Sequence, residues 1–116
     1  MVRLYGIKNC DTVKKARQWL DNHSVAYEFH DVRADGLTAG KVQEWLAYVD
    51  WPELVNKRST TWKQLSKEDK ENLGASNVTE VLLDKPTLIK RPVLELEQAV
   101  LVGFKPADYE KFFATP

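Results

Sequence analysis

Val2, Leu4, Tyr5 and Ile7 form a short apolar run that predicts a buried strand. Gly6 and Asn9 interrupt it. From Thr12 the period becomes helical. Val13, Ala16, Trp19 and Leu20 fall three, four and seven apart, so they line one face of a helix, with Lys14, Lys15, Arg17 and Gln18 on the other. Asp21-Asn22-His23-Ser24 stops that helix. Val25 to His30 alternates weakly and reads as a second strand. Strand, helix, strand within one short stretch is a βαβ unit, with parallel strands and a right-handed crossover.

The middle of the chain has a different rhythm. Asp35-Gly36-Leu37 is a turn, and Thr38 is an N-cap for a helix over 39–49, with Val42, Trp45, Leu46 and Val49 apolar. Trp51-Pro52 ends it. Residues 52–63 read as a helical turn and a polar loop, Asn56 to Thr61, in which Thr60 and Thr61 cap or turn the backbone. Ser66 opens a helix over 67–73 closed by Gly74, and Ser76 caps another over 77–84. Residues 37–85 are thus expected as a helical insert.

The end returns to sheet. Pro86-Thr87-Leu88-Ile89 leads into Arg91-Pro92, and Val93–Leu96 with Ala99–Val102 forms a hairpin pattern. Pro106 suits the first turn of a last helix with Tyr109, Phe112 and Phe113 inward. The order βαβ, helical insert, ββα predicts an α/β protein of thioredoxin-like architecture, one domain over 1–116.

Composition narrows the function classes. The 116 residues carry 17 Lys+Arg and 17 Asp+Glu, which removes support for a general polyanion binder. Trp45 and Trp62 are expected in the core, not as a stacking platform for bases. The single cysteine excludes a disulfide framework and a Cys-rich zinc site, and no metal is expected. A lone thiol suits a reducing compartment, and the N-terminus runs into a strand without a signal peptide. No run reaches the length of a membrane span. A cytoplasmic monomer, without nucleic-acid or membrane partners, is the expectation. Surface or structural roles are expected of His23 and His30.

Cys10 is the one residue whose position suggests chemistry. It lies between the first strand and the first helix, where open α/β sheets place ligands. Free N–H groups at a helix start favour an anion, a thiolate included, and the thiolate is the nucleophilic form. Lys8, Lys14 and Lys15 add positive field, and Asp11 opposes it. Position alone is equally compatible with Cys10 as a small buried apolar residue.

The stretch Tyr5-Gly6-Ile7-Lys8-Asn9-Cys10-Asp11-Thr12-Val13-Lys14-Lys15-Ala16 resembles the opening of the arsenate reductase (ArsC)/Spx/YffB family, its YffB branch most of all. Asn56 to Trp62, Lys85 to Val93 and Val102-Gly103-Phe104 extend the likeness over essentially the whole chain. The resemblance implies a thioredoxin fold with a glutaredoxin-like reactive cysteine. Cys10 matches the family's redox cysteine, Arg91 an arginine that holds the oxyanion in ArsC enzymes, and Pro92 a cis-proline. Unaided, the sequence favours a trans Arg91–Pro92 bond.

The function so implied is a glutathione-dependent thiol oxidoreductase. Cys10 acts as nucleophile, and Lys8, Asn9, Arg58, Arg91, Pro92 and Lys105 form the substrate or glutathione site. No cofactor is bound; glutathione is the co-substrate, and a thiol or disulfide the partner. The alternatives are an arsenate reductase and an Spx-like regulator that binds a protein. ArsC enzymes use three arginines. Here Asn56 falls near the first, two residues from Arg58, and Lys105 stands at the third without the planar fork of a guanidinium. Val13 occupies the second position of the Cys-x-x-Cys common in Spx regulators, so one thiol has no partner for a disulfide switch.

Overall fold

The computed structural model describes residues 2–113. Met1 and Ala114–Pro116, which the single-domain expectation included, lie outside the described residues. The chain divides into two compact units. Residues up to Val32 together with those from Arg91 onward form one, and Arg33–Lys90 form the other.

The first unit is a four-stranded sheet with two helices. Strands β1 (Arg3–Gly6) and β2 (Glu28–Asp31) are parallel and joined by α1 (Asp11–Asn22). Strands β3 (Val93–Leu96) and β4 (Ala99–Val102) form the expected hairpin, and β3 runs antiparallel to β1. The order is β2-β1-β3-β4, so β1, the strand that leads to Cys10, is central. The chain ends in α7 (Pro106–Phe113).

Side-chain alternation decides how this unit packs. Leu4 and Leu94 are cross-strand partners, Leu101 pairs with Leu94, and all three point to one face. Val13, Ala16, Trp19 and Leu20 of α1 and Tyr109 of α7 bury against that face. The predicted stripe on α1 is therefore the stripe used. Tyr109 stands edge-on to Trp19 (5.3 Å) and to Phe104 (4.9 Å), the favoured arrangement for aromatic rings. Phe112 departs from expectation: it is 41% exposed and lies at the edge of the inner face of α7, which Tyr109 centres.

The end of α1 is closed by the backbone. Val25 N–H donates to Leu20 O (2.9 Å) and Ser24 N–H to Asp21 O (3.2 Å), with Ser24 at φ 57°. This is a Schellman closure, and Val25 and Leu20 supply the apolar contact that accompanies it. The strand predicted from Val25 joins the ladder only at Glu28, whose N–H donates to Val2 O at 3.0 Å.

The second unit is built from short helices: α2 (Ala39–Leu46), α3 (Trp51–Leu54), α4 (Thr60–Gln64), α5 (Lys67–Asn72) and α6 (Val78–Asp84). Val42, Trp45, Leu54, Val78, Leu82 and Leu88 are fully buried in it. Three starts carry side-chain caps. Lys41 N–H donates to Thr38 Oγ1, Trp62 N–H to Ser59 Oγ and Asp69 N–H to Ser66 Oγ, at 3.0–3.2 Å.

Several expectations for this stretch are corrected. The helix predicted over 39–49 stops at Leu46, where the Trp45 carbonyl accepts from both Tyr48 and Val49 and tightens the end. Ser59, not Thr60 or Thr61, caps α4; Thr61 Oγ1 instead meets Thr87 Oγ1 at 2.6 Å. Asn77, not Ser76, precedes α6, and its side chain turns back to Gly74 N–H (2.8 Å) and Asn72 O (3.2 Å). Pro86–Leu88 is a 3₁₀ turn rather than strand: Pro86 has no N–H to give a ladder, and Ile89 N–H returns to Pro86 O. Trp62 is half-buried, with the Lys57 and Lys70 ammonium groups 5.5 and 5.7 Å from its ring, so only Trp45 is a full core residue.

Candidate functional site

Four chain segments reach one end of the sheet. β1 ends at Gly6 and continues through Lys8-Asn9 to Cys10. Because β3 is antiparallel to β1, with Tyr5 opposite Val93, Arg91-Pro92 enters at that same end. Val93 also pairs with Val102, so Gly103 to Lys105 leaves β4 there. The parallel strand β2 finishes alongside, with Val32 N–H donating to Gly6 O at 2.9 Å. The register thus collects Lys8, Asn9, Cys10, Arg91, Pro92 and Lys105 at the carboxyl end of β1. Arg58 lies in the turn after α3, in the other unit, where its N–H donates to Asn56 Oδ1 at 3.0 Å.

Cys10 occupies the N-cap position of α1. Its backbone is extended (φ −133°, ψ 120°), its carbonyl accepts from Lys14 N–H at 3.0 Å, and its side chain makes no capping hydrogen bond. A helix start carries N–H groups without an intrahelical acceptor and the positive end of the helix dipole, and Cys10 stands at that start. The thiol is neither sealed nor fully open: it is partly buried, one side packed on the α1 core cluster. Lys8, Asn9, Asp11, Lys14 and Lys15 are exposed around it. The opposing charge of Asp11 faces solvent.

The Arg91–Pro92 peptide is cis, as the family resemblance implies and local sequence does not. Pro92 is buried, and its carbonyl accepts from Gly103 N–H at 2.8 Å, which ties the start of β3 to the end of β4. Gly103 has φ 82°, a conformation that suits glycine. Arg91 is half-buried with its Nε withdrawn from water. Lys105 is exposed, and its carbonyl accepts from Asp108 and Tyr109 at the start of α7.

Gly6 contributes in a way the sequence does not signal. Read as a break in the pattern, it is in fact the last residue of β1, and a Cβ there would sit 2.7 Å from Val13 Cγ2. Glycine lets the strand pass close under the first turn of α1 and so fixes where Cys10 emerges. His30 rests 4.9 Å from Tyr5 in ring contact, and His23 is the C-cap of α1, at the far end of that helix from Cys10. Among the described residues no group of three or more His, Cys, Asp or Glu is placed to hold a metal, and no helix is long and apolar enough to cross a membrane.

The model of the ArsC family matches residues 5–112. The chain belongs to the ArsC family. It is 44% identical over 114 residues to an uncharacterised protein of Haemophilus influenzae, covering 98% of this chain and 100% of that one. A solved structure of a YffB protein superposes with TM-score 0.91 at 46% identity, covering 96% of this chain and 97% of the other. An arsenate reductase related protein from Brucella melitensis gives 0.77 at 45%, covering 98% and 95%. The global transcriptional regulator Spx of Listeria innocua is 27% identical over 97% of this chain and 86% of its own. The fold is thus thioredoxin-like with an arsenate-reductase-like arrangement.

Proposed function

We propose that the protein is a single-cysteine thiol oxidoreductase that works with glutathione. The observation that most supports this is Cys10 itself: half-open to solvent, at the uncapped start of α1, at the sheet end shared by Arg91, cis-Pro92 and Lys105. The Cys10 thiolate attacks the glutathione sulfur of a glutathionylated substrate. The Cys10–glutathione disulfide forms, and the substrate thiolate leaves. A second glutathione thiolate then attacks the glutathione sulfur of that mixed disulfide, releasing oxidised glutathione and restoring the Cys10 thiolate. The sequence contains no second cysteine, so an external thiol completes the cycle. Lys8, Arg91 and Lys105 supply positive charge for the carboxylates of glutathione, Arg91 through its planar fork, with Asn9 and Pro92 shaping the cleft. Arg58, on the helical unit, takes no part in this assignment.

Mass spectrometry after mixing with oxidised glutathione tests the reading. One adduct on Cys10 is expected, none on Cys10→Ser, and Lys8→Glu should slow its formation several-fold by reversing a nearby charge. An intact thiol that fails to form the adduct sinks the proposal.

Reduction of an oxyanion such as arsenate is the second reading, favoured by the likeness to the arsenate reductase related protein of Brucella melitensis. Against it, Asn56 falls near the first of the three family arginines, two residues from Arg58, and Lys105 falls at the third, where a lysine is a poorer clamp for a tetrahedral oxyanion. Turnover of arsenate with glutathione and glutaredoxin separates the two readings. Reactive Cys10 without arsenate turnover leaves the thiol oxidoreductase.

A further inference from the structure

A second stripe runs along α1 beside the buried one, and it starts at the thiol. Cys10, Lys14, Arg17 and Asp21 follow one another at steps of four, three and four residues, the spacing of one helix face. Lys14 and Asp21 are exposed, and Arg17 is half-buried. Arg17 is held in one place by the outer strand of the sheet. Its Nε donates to the Tyr27 hydroxyl at 3.1 Å, and its guanidinium carbon lies 4.4 Å from the centre of the Phe29 ring. Phe29 belongs to β2, which is the edge strand on that side.

Both cations of the stripe lack an acid. Neither Lys14 nor Arg17 has an ion pair among the described residues, and Asp21, one turn beyond Arg17, does not close on it. Tyr27 occupies only the Nε of Arg17, which leaves the two terminal nitrogens, a planar pair of donors matched to a carboxylate. A guanidinium already stacked and hydrogen-bonded has less freedom to lose when a carboxylate arrives, so it binds better than a loose surface cation. The helix also sets where that carboxylate has to be. Arg17 lies seven residues past Cys10, about 10 Å along the axis. An extended polypeptide covers that distance in about three residues. Asp21 repels an acid placed further along the same face.

We propose that the substrates of Cys10 are glutathionylated cysteines in acidic polypeptide segments, and that Lys14 and Arg17 select them by taking a carboxylate about three residues from the modified cysteine. This rests on the thiol oxidoreductase reading above and names the substrate class of that same thiol. The Cys10 thiolate attacks the glutathione sulfur, the Cys10–glutathione bond forms, and the glutathione–polypeptide disulfide breaks. The electron pair leaves on the polypeptide sulfur, which takes its proton from water. The acidic segment is therefore the leaving group, guided along α1.

The test is steady-state removal of glutathione, with free glutathione as reductant, from three peptides. They carry one glutathionylated cysteine and differ only three residues to either side of it, where both residues are Glu, both Gln or both Lys. With the unaltered chain kcat/KM should fall in the order Glu, Gln, Lys, with about tenfold between the ends. The Glu-to-Lys ratio should shrink to about threefold in Arg17→Gln and to about one when Lys14→Gln is added, and high salt should lower it in the unaltered chain. A ratio taken within one protein cancels any general loss of stability or of Cys10 reactivity. A ratio below about twofold in the unaltered chain, or one that Arg17→Gln leaves as it was, overturns the proposal. So does a chain whose Cys10 takes the adduct from oxidised glutathione but turns over none of the peptides. A chain that takes no adduct at all overturns the thiol oxidoreductase reading, and this proposal with it.

Discussion

The start of α1 in the sheet unit and the starts of α2, α4 and α5 in the helical unit solve one physical problem in opposite ways. Every helix begins with N–H groups that have no intrahelical acceptor. At Thr38, Ser59 and Ser66 a side-chain hydroxyl accepts from one of them. At Cys10 the backbone has the same extended form, but the side chain ends in sulfur and accepts nothing. The helical unit thus spends its caps on stability. The sheet unit gives its donors no side-chain acceptor at the place where a thiolate, or an anion beside it, would use them.

Exchanging that sulfur for oxygen is the strongest way to break the comparison. Cys10→Ser should abolish adduct formation with glutathione outright, a loss beyond a thousandfold, since a serine hydroxyl is not ionised at neutral pH. The same change should create the missing cap and raise stability by about 0.5–1 kcal/mol. Reactivity by mass spectrometry and stability by urea titration read the two effects separately. A variant that loses reactivity and also loses stability would break the comparison, because the Cys10 start would then not be an open cap.

Gly6→Ala tests what holds the open start in place. The added methyl would lie 2.7 Å from Val13 Cγ2, so strand or helix has to move. A loss of about 1–3 kcal/mol is expected, as for overpacking elsewhere. Val13→Ala in the same chain should recover part of it, because it removes the atom struck. Rescue would assign the cost to that contact; an unchanged loss would assign it to the backbone of β1.

The helical unit's side of the comparison is sharpened by Ser59→Ala. Ser59 accepts from Trp62 N–H and also donates to Asn56 O at 2.7 Å in a part-buried place, whereas the Ser66 cap is exposed. Ser59→Ala should cost about 1–2 kcal/mol and Ser66→Ala about 0.5–1 kcal/mol, measured by urea denaturation. Neither change should alter the rate at which Cys10 is alkylated.

Local pattern made much of this legible in advance, and long-range pairing accounts for most of what was not. The stripe Val13, Ala16, Trp19, Leu20 specifies α1 because four residues of one period agree, and Thr38 and Ser66 announce their helices by cap chemistry alone. Ser76 misleads because Asn77, one residue on, is also a good cap type and its side chain is drawn back to Gly74. Pro86 to Ile89 looks like strand by its apolar residues, but only Ile89 finds a strand partner, a single bridge to Val55. At the site, the lone thiol at a strand–helix turn is visible from the sequence. Its placement at the same sheet end as Arg91, Pro92 and Lys105 depends on the Val93–Val102 register and on the Tyr5–Val93 register, the latter between segments nearly ninety residues apart, and only the family likeness carried that information. Gly6 was silent because its reason is a neighbour, Val13, and not its own backbone angle.

Tyr109 extends the comparison from the surface to the core. In the helical unit the hydroxyls of Thr61 and Thr87 satisfy each other at 2.6 Å. In the sheet unit the Tyr109 side chain is fully buried among Trp19, Phe104 and Phe113, and its hydroxyl oxygen has no hydrogen-bond partner among the described residues. An unsatisfied buried hydroxyl costs free energy, so Tyr109→Phe should leave stability unchanged or raise it by about 1 kcal/mol. The pH dependence gives the finer test. Burial pushes the Tyr109 phenol above its ordinary value of 10.0, because the charged phenolate is disfavoured in the core. The unfolded chain releases that proton first as pH rises, so this contribution to stability is whole below the unfolded value and shrinks above it. Urea titrations from neutral pH into the alkaline range should show a decline beginning near pH 10 that is shallower in Tyr109→Phe. Equal slopes in the two proteins would mean that the phenol reaches water or a partner in solution. The contrast between a satisfied and an unsatisfied hydroxyl would then fail in the core while holding at the helix starts.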